Sequence, residues 1–278
     1  MSDPSPAFLL IFDMDGVLYR GEEALPDAAA SLQALRQAGF LVTFLTNNAW
    51  ATAEEFAAKM DRLGMPSAPE EYMTSAMGAA AVIRERHGAG TPTLVIGGPG
   101  LRHYCAEAGL DAFGPDSTHN AAVVVAGIDW EFTYTKLARA QRALLDGAAF
   151  YATNLDPRYP VEGGRFKPGA GSLIAAIATA SGVTPTLIGK PSSLCVELLM
   201  ERFGVAPRET LVIGDQLATD ILAGNRAGCR TALITTGVST AEEAESLHGD
   251  RRPTHVFSSL TELATALVAE GLLATVPR

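Results

Sequence analysis

Short apolar runs rich in β-formers alternate along this chain with segments of helical periodicity, the pattern of βαβ units around a parallel sheet. In the first third the strand-like runs are Phe8 to Phe12 and Leu41 to Thr46, and the helical segments are Asp27 to Gln37 and Ala53 to Leu63. Pro26 precedes the first helix and Gly39 follows it, proline at the start and glycine past the end. The alternation returns towards the C-terminus, with strands expected at Thr210 to Ile213, Thr231 to Thr235 and His255 to Phe257, and helices at Ile221 to Ala227 and Leu260 to Glu270.

Between these parts lies another α/β stretch. Strands are expected there at Thr93 to Ile96, Ala121 to Ala126 and Ala149 to Ala152, and helices at Leu101 to Ala108, Tyr134 to Leu145 and Gly171 to Ser181. It reads as an inserted domain bordered by Thr74-Ser75-Ala76 and Gly182-Val183-Thr184-Pro185. The expected organisation is a core made of residues 1–76 and 186–278, with residues 77–185 inserted. No internal repeat or low-complexity segment interrupts it.

A chain of 278 residues, 47% hydrophobic, can bury a sizeable core and exceeds the commonest single-domain size. A formal net charge of -10 repels phosphate backbones and anionic lipid, so neither nucleic acid nor a membrane is an expected partner. A small anionic substrate would need locally placed cations. Cys105, Cys195 and Cys229 are widely spaced, and no Cys-x-x-Cys or histidine cluster suggests zinc. The start, Met1-Ser2-Asp3-Pro4-Ser5-Pro6, lacks the basic and apolar regions of a signal peptide, and no apolar run reaches bilayer-spanning length. A reduced, cytoplasmic protein is expected; self-association into a homo-oligomer stays open.

Asp13-Met14-Asp15-Gly16 follows directly on the first apolar strand, at the strand exit where open α/β sheets place their sites. Residues i and i+2 of an extended segment point the same way, so one carboxylate could attack while the other shuttles a proton. Solvated acids beside a turn glycine would look the same. Leu45-Thr46-Asn47-Asn48 ends the second strand with a hydroxyl and two amides that suit phosphate oxygens, although an Asx-rich turn before the next helix has this composition too. Gly189-Lys190-Pro191-Ser192 places one lysine before the helix Ser193 to Phe203, where lysines are most often solvated.

A further apolar strand, Leu211-Val212-Ile213-Gly214-Asp215, delivers another carboxylate, followed by Asp220. Such acids suit magnesium, which takes oxygen ligands and often only one or two carboxylates. Asp220 could equally cap the helix expected from Ile221.

Together Asp13-Met14-Asp15-Gly16, Thr46-Asn47-Asn48, Lys190 and Gly214-Asp215 through Asp220 resemble the four ordered motifs of the haloacid dehalogenase superfamily. The resemblance spans the chain. The insertion between the threonine and lysine motifs, with Val95-Ile96-Gly97-Gly98-Pro99-Gly100 and Ala152-Thr153-Asn154-Leu155-Asp156, is similar to the NagD-like branch of nitrophenyl phosphatases, nucleotide monophosphatases, phosphoglycolate phosphatases and pyridoxal phosphatases. The fold so implied is an α/β, Rossmann-like parallel-sheet core with an inserted α/β cap of the C2 type.

The resemblance also implies a mechanism and a site. Asp13 would attack phosphorus and form an acyl phosphate, with Asp15 the acid and then the base. Neighbouring Asp13, Asp215 and the substrate phosphate would keep Asp15 protonated at the start. Magnesium would be held by Asp13, Asp215 and the backbone carbonyl of Asp15, with Asp220 as a further candidate. Thr46, Asn47, Asn48 and Lys190 would hold the phosphoryl group. Asn154 and Asp156, with Arg158 and Tyr159, are the cap candidates for contact with the leaving group. Like unit charges about 4 Å apart repel by roughly 4 kcal/mol at an effective dielectric of about 20, so an attacking carboxylate needs both the cation and Lys190.

The chain departs from the branch in two places. Ala49-Trp50-Ala51-Thr52 replaces the serine and basic residue usual after the threonine motif, and Gln216-Leu217-Ala218-Thr219 is less charged than its counterparts. Trp50 could stack on a planar substrate or pack under the cap. Gly97-Gly98-Pro99-Gly100 resembles a phosphate loop but continues as neither Gly-x-Gly-x-x-Gly nor Gly-Lys-Ser, which makes it a tight turn within the cap.

The expected activity is magnesium-dependent hydrolysis of a small phosphomonoester metabolite. A phosphotransferase could share the aspartyl-phosphate chemistry, and a sensor of phosphorylated metabolites could use the same site without turnover.

Overall fold

The structure is a computed structural model that describes residues 8–161, 165–269 and 272. The N-terminal segment Met1 to Pro6 and Glu270, at the end of the last expected helix, lie outside the described residues.

The core sheet has six strands in the order His255–Phe257, Arg230–Ile234, Thr210–Gly214, Leu9–Phe12, Leu41–Thr46, Tyr72–Thr74. The first five run parallel. Leu9, Leu10, Ile11 and Phe12 are each fully buried, as a central parallel strand covered on both faces must be, and this is why the run is continuously apolar. Phe12 stands opposite Ile213 in the register of the two middle strands, so Asp13 and Asp215 leave the same edge of the sheet within two residues of register.

The inserted region has its own parallel sheet, ordered Thr186–Leu187, Ala149–Ala152, Val123–Ala126, Pro92–Ile96, Asp111–Phe113. Its apolar face, with Leu94, Ile96, Val124, Ala126 and Phe150, packs with Ile174 and Ile177 of the helix Ala170–Ser181 and with Ala140 and Leu144 of the helix Tyr134–Leu145. A hairpin, Arg158–Val161 with Arg165–Pro168, follows the fourth strand in chain order.

The contacts divide the chain into two compact units. One comprises residues up to Leu45, Glu54–Met73 and those from Lys190 onward; the other comprises Thr46–Ala53 and Thr74–Gly189. The sequence pattern puts the borders of the insertion at 76/77 and 185/186, and the contacts divide the chain at 73/74 and 189/190. Thr186 and Leu187 pair with Tyr151 and Ala152, which keeps them in the inserted sheet. The helix Ser75–His87, capped by the Thr74 hydroxyl on the Met77 N–H, runs through the expected first border. This helix was missed because Ser75, Ala76, Gly78, Ala79, Ala80, Val82 and Ile83 bury several of its faces and leave no single apolar stripe. The first helix begins at Ala28, one residue later than expected, because Asp27 adopts a left-handed conformation and stands outside it. No helix among the described residues is long and apolar enough to cross a membrane. All three cysteines are buried, without a disulfide among them.

Candidate active site

Three carboxylates and one ammonium converge at the carboxyl edge of the core sheet. Asp13, Asp215 and Asp220 each offer an oxygen, and the three oxygens lie within 4.8 Å of one another. Lys190 is not solvated: it is 4% exposed, and its Nζ lies 2.6 Å from Asp13 Oδ1, 2.6 Å from Asp220 Oδ1 and 3.3 Å from the Leu45 carbonyl. An ammonium has three N–H donors and finds three acceptors here.

Asp220 does not cap the following helix. It lies within a π-helical turn, Leu217–Ile221; Ile221 is the cap residue of the helix Leu222–Arg226. Asp220 instead turns back, accepting the Gln216 N–H on Oδ2 at 3.0 Å while Oδ1 faces Lys190. Gly214 makes this approach feasible, since a Cβ there would stand 2.2 Å from that of Asp220.

Asp215 is held by a loop that the sequence reading did not single out. The Val238 N–H donates to Asp215 Oδ2 at 2.8 Å, and the Ser239 N–H to the Asp215 carbonyl at 3.0 Å. Two glycines admit it. Gly16 has a φ of +84° and a Cβ there would stand 2.4 Å from Asp215 Oδ2; at Gly237 the same distance would be 1.9 Å. Thr236 ties the two loops together by donating its hydroxyl to the Gly16 carbonyl at 2.8 Å. The available signal was Thr236-Gly237 just beyond a buried strand, the same strand-exit logic that exposed Asp13 and Asp215.

With all four groups ionised, three negative charges against one positive leave -2 in a buried space. Burial and the neighbouring acids push the Asp13 carboxyl up to about 7, against the pull of Lys190, and the Asp215 carboxyl up to about 8. Burial alone would lower the Lys190 pKa, but Asp13 and Asp220 together raise it above its ordinary value, so it stays charged. Asp215 Oδ1 is buried without a hydrogen-bond partner. A hard divalent cation fits this donor set: it matches the surplus charge, takes carboxylate oxygens and would give that oxygen a partner.

Asp15 is exposed over much of its surface and lies outside the three-acid group. Its pKa is raised, and the main cause is desolvation, with Lys59 and Arg20 pulling the other way. The direction is the expected one but the cause differs, because the neighbouring carboxylates contribute little to it.

The other expected binding residues cluster in the second unit. The Thr46 hydroxyl accepts the Asn48 N–H at 3.1 Å and Asn48 Oδ1 accepts the Trp50 N–H at 2.9 Å, so both oxygens shape a local turn. Asn154 Nδ2 donates to the Asn47 carbonyl at 2.8 Å, and Asn47 Nδ2 donates to Asp156 Oδ2 at 3.1 Å. Trp50 packs over Gly98, with its ring centre 5.9 Å from that of Trp130. Tyr159 meets Trp130 edge-on at 5.0 Å, and the Arg158 guanidinium lies over Phe166.

Residues 10–111 match the family described as haloacid dehalogenase-like hydrolase, and residues 187–263 match a HAD-hydrolase-like family. Chronophin of Homo sapiens is 38% identical over 274 residues, covering 93% of this chain and 92% of that protein. The crystal structure of a glycerol phosphate phosphatase from Mycobacterium tuberculosis in complex with magnesium is 33% identical, with a TM-score of 0.88, covering 98% of this chain and 80% of that one. NagD from E. coli K-12 is 31% identical, with a TM-score of 0.84 and coverage of 93% and 98%. The chain belongs to the haloacid dehalogenase-like hydrolases, in the NagD-like branch of phosphatases.

Proposed function

We propose that this phosphatase hydrolyses a small phosphomonoester metabolite in the cytoplasm through an aspartyl-phosphate intermediate, with magnesium as its cofactor. The observation that carries the reading is the sharing of Lys190 between Asp13 and Asp220 beside a buried, unpartnered oxygen of Asp215.

Asp13 is the nucleophile. Lys190 fixes its Oδ1, and a carboxylate oxygen of Asp13 bonds to phosphorus as the bond from phosphorus to the leaving oxygen breaks. Asp15 gives its proton to that leaving oxygen, then takes one from the water that attacks phosphorus and restores Asp13. A carboxyl whose pKa is raised by desolvation suits this double role. Asp13, Asp215 and the Asp15 carbonyl would hold magnesium, with Asp220 completing the acid group and orienting Lys190. The cation would neutralise charge on the phosphoryl oxygens when bound.

Thr46, Asn47 and Asn48 are the groups proposed to hold the phosphoryl group together with Lys190. Asn154 and Asp156 complete the binding residues, and the inserted domain sets specificity. The test is phosphate release from a panel of phosphomonoesters with and without magnesium. Magnesium-dependent release from a subset of the panel supports the reading; binding of panel members with no release would make the protein a sensor, and transfer to an added alcohol in preference to water would make it a phosphotransferase.

A further inference from the structure

We propose that Tyr104 and the glycine-rich turn Gly97–Gly100 are positioning residues for the Thr46–Asn48 segment, so that the inserted domain sets the conformation of the phosphate-binding loop. The inference rests on the proposed role of that segment in holding phosphate.

Thr46–Ala53 groups by its contacts with Thr74–Gly189, and it is fastened there at three points. At its start, Ser75 Oγ and Asn154 Nδ2 both donate to the Asn47 carbonyl, at 2.7 and 2.8 Å, and Asp156 takes the Asn47 amide. At its middle, the Gly100 N–H donates to the Trp50 carbonyl at 2.9 Å while the Trp50 ring covers Gly98. At its end, the Ala53 N–H donates to the Tyr104 hydroxyl oxygen at 2.6 Å.

The glycines are there for closeness. A Cβ on Gly98 would stand 2.3 Å from the Trp50 ring, and one on Gly100 would stand 2.6 Å from the Trp50 carbonyl oxygen. The turn is not itself an anion site, although it opens the helix Pro99–Glu107. Gly98 already gives its N–H to the Ile128 carbonyl at 3.0 Å, Pro99 has none, and Gly100 gives its own to Trp50. What resembles a phosphate loop in sequence thus holds the backbone of another loop. Asn154 and Asp156 also take part in this fastening, through Asn154 Nδ2 on the Asn47 carbonyl and Asn47 Nδ2 on Asp156 Oδ2.

Fastening at both ends and the centre removes backbone freedom before a ligand arrives, so less order has to be imposed on binding. Misplacing such a loop weakens every ligand that shares the phosphoryl group, whatever its leaving group.

The experiment compares the wild type with Tyr104→Phe, which keeps the buried ring but removes the acceptor for Ala53, and with Gly98→Ala. Three quantities are read: amide hydrogen exchange at residues 47–53 without substrate, inhibition by inorganic phosphate, and KM for three phosphomonoesters with unlike leaving groups. Exchange should quicken in both variants. The inhibition constant and all three KM values should rise by a common factor of about three to ten, the loss of one hydrogen bond. Faster exchange with an unchanged phosphate constant, or a KM change confined to one leaving group, would overturn the inference. If the wild type neither hydrolyses the esters nor binds phosphate, the functional reading fails, and the fastening is judged by exchange alone: unchanged exchange in Tyr104→Phe overturns it.

Discussion

The ammonium of Lys190 lies 2.6 Å from Oδ1 of Asp220, the same distance as from Oδ1 of Asp13, so one buried cation orients two carboxylates. Lys190→Met should therefore abolish turnover and also destabilise the metal-free protein. Removing one partner of a buried ion pair costs about 3–5 kcal/mol when the other charge persists. At pH 6 the acids can hold protons and soften the loss, because Asp13 and Asp215 are pushed up to about 7 and about 8. Thermal unfolding without magnesium should show a larger drop for the variant at pH 9 than at pH 6; an equal drop would mean that Lys190 does not compensate these carboxylates.

Asp13→Asn removes the proposed nucleophile while keeping shape, and it lessens repulsion within the acid cluster. Turnover should fall by a factor on the order of 10⁴ or more, with the melting temperature kept. Asp15→Asn should cost roughly 10²–10⁴-fold through lost proton transfer, and less of it in the first step when the leaving group needs little protonation. Burst kinetics with an aryl phosphate and an alkyl phosphate separate the two steps. Identical losses for both esters would point to a structural role for Asp15.

Magnesium affinity should rise with pH across the range in which the acid cluster ionises. The folded-state values of Asp13 and Asp215, about 7 and about 8, lie above the ordinary 3.8, so the metal-free fold binds more protons than the unfolded chain. Its stability is favoured below pH 4 by these groups, and that contribution is lost as pH rises through 7 and 8. Metal binding requires the same deprotonation, so affinity should gain about tenfold per pH unit for each proton released. Titration of magnesium by calorimetry at pH 6, 7 and 8 reads this directly, and a flat affinity would remove the acids from the metal site.

Calcium should bind this acid cluster yet support little turnover. Magnesium keeps ligands at about 2.0–2.1 Å in a strict octahedron, whereas calcium at about 2.3–2.6 Å accepts bidentate carboxylates. A carboxylate captured through both oxygens has none left to attack phosphorus, so inhibition by calcium should be relieved by added magnesium. Full activity with calcium alone would show that Asp13 is not both ligand and nucleophile.

Gly16→Ala should disable the site without replacing any of its acidic or basic side chains. The backbone there has a φ of +84°, and the new methyl would meet Asp215 Oδ2 at 2.4 Å. Magnesium binding should weaken by at least tenfold, on the order of the strain of 1–3 kcal/mol expected for such a conformation. Unchanged affinity would show that Asp215 can move aside without loss of the ion.

The sequence by itself determined the strand exits. Apolar runs such as Leu9–Phe12 and Leu211–Ile213 must be buried on both faces, and the acids that end them, Asp13 and Asp215, must then emerge at a sheet edge; parallel pairing brings those edges together. Four ordered motifs therefore identified the family from local pattern alone. Helix Ser75–His87 escaped the same logic, since burial on several faces erases the periodicity that local pattern depends on.

Only the tertiary structure decided how the polar residues are shared out. Lys190 reads as a surface lysine until three acceptors from distant parts of the chain enclose it, and Asp220 reads equally as a helix cap or a metal ligand until its carboxylate turns to that lysine. The turn Gly97–Gly100 reads as a tight turn within the inserted domain, but only the structure shows that Trp50, some fifty positions earlier in the chain, occupies the space that the missing side chain of Gly98 leaves open. Hydrogen bonds and ion pairs act over about 3 Å in space regardless of separation along the chain, so a pattern read along one dimension shows which groups are available but not which of them meet.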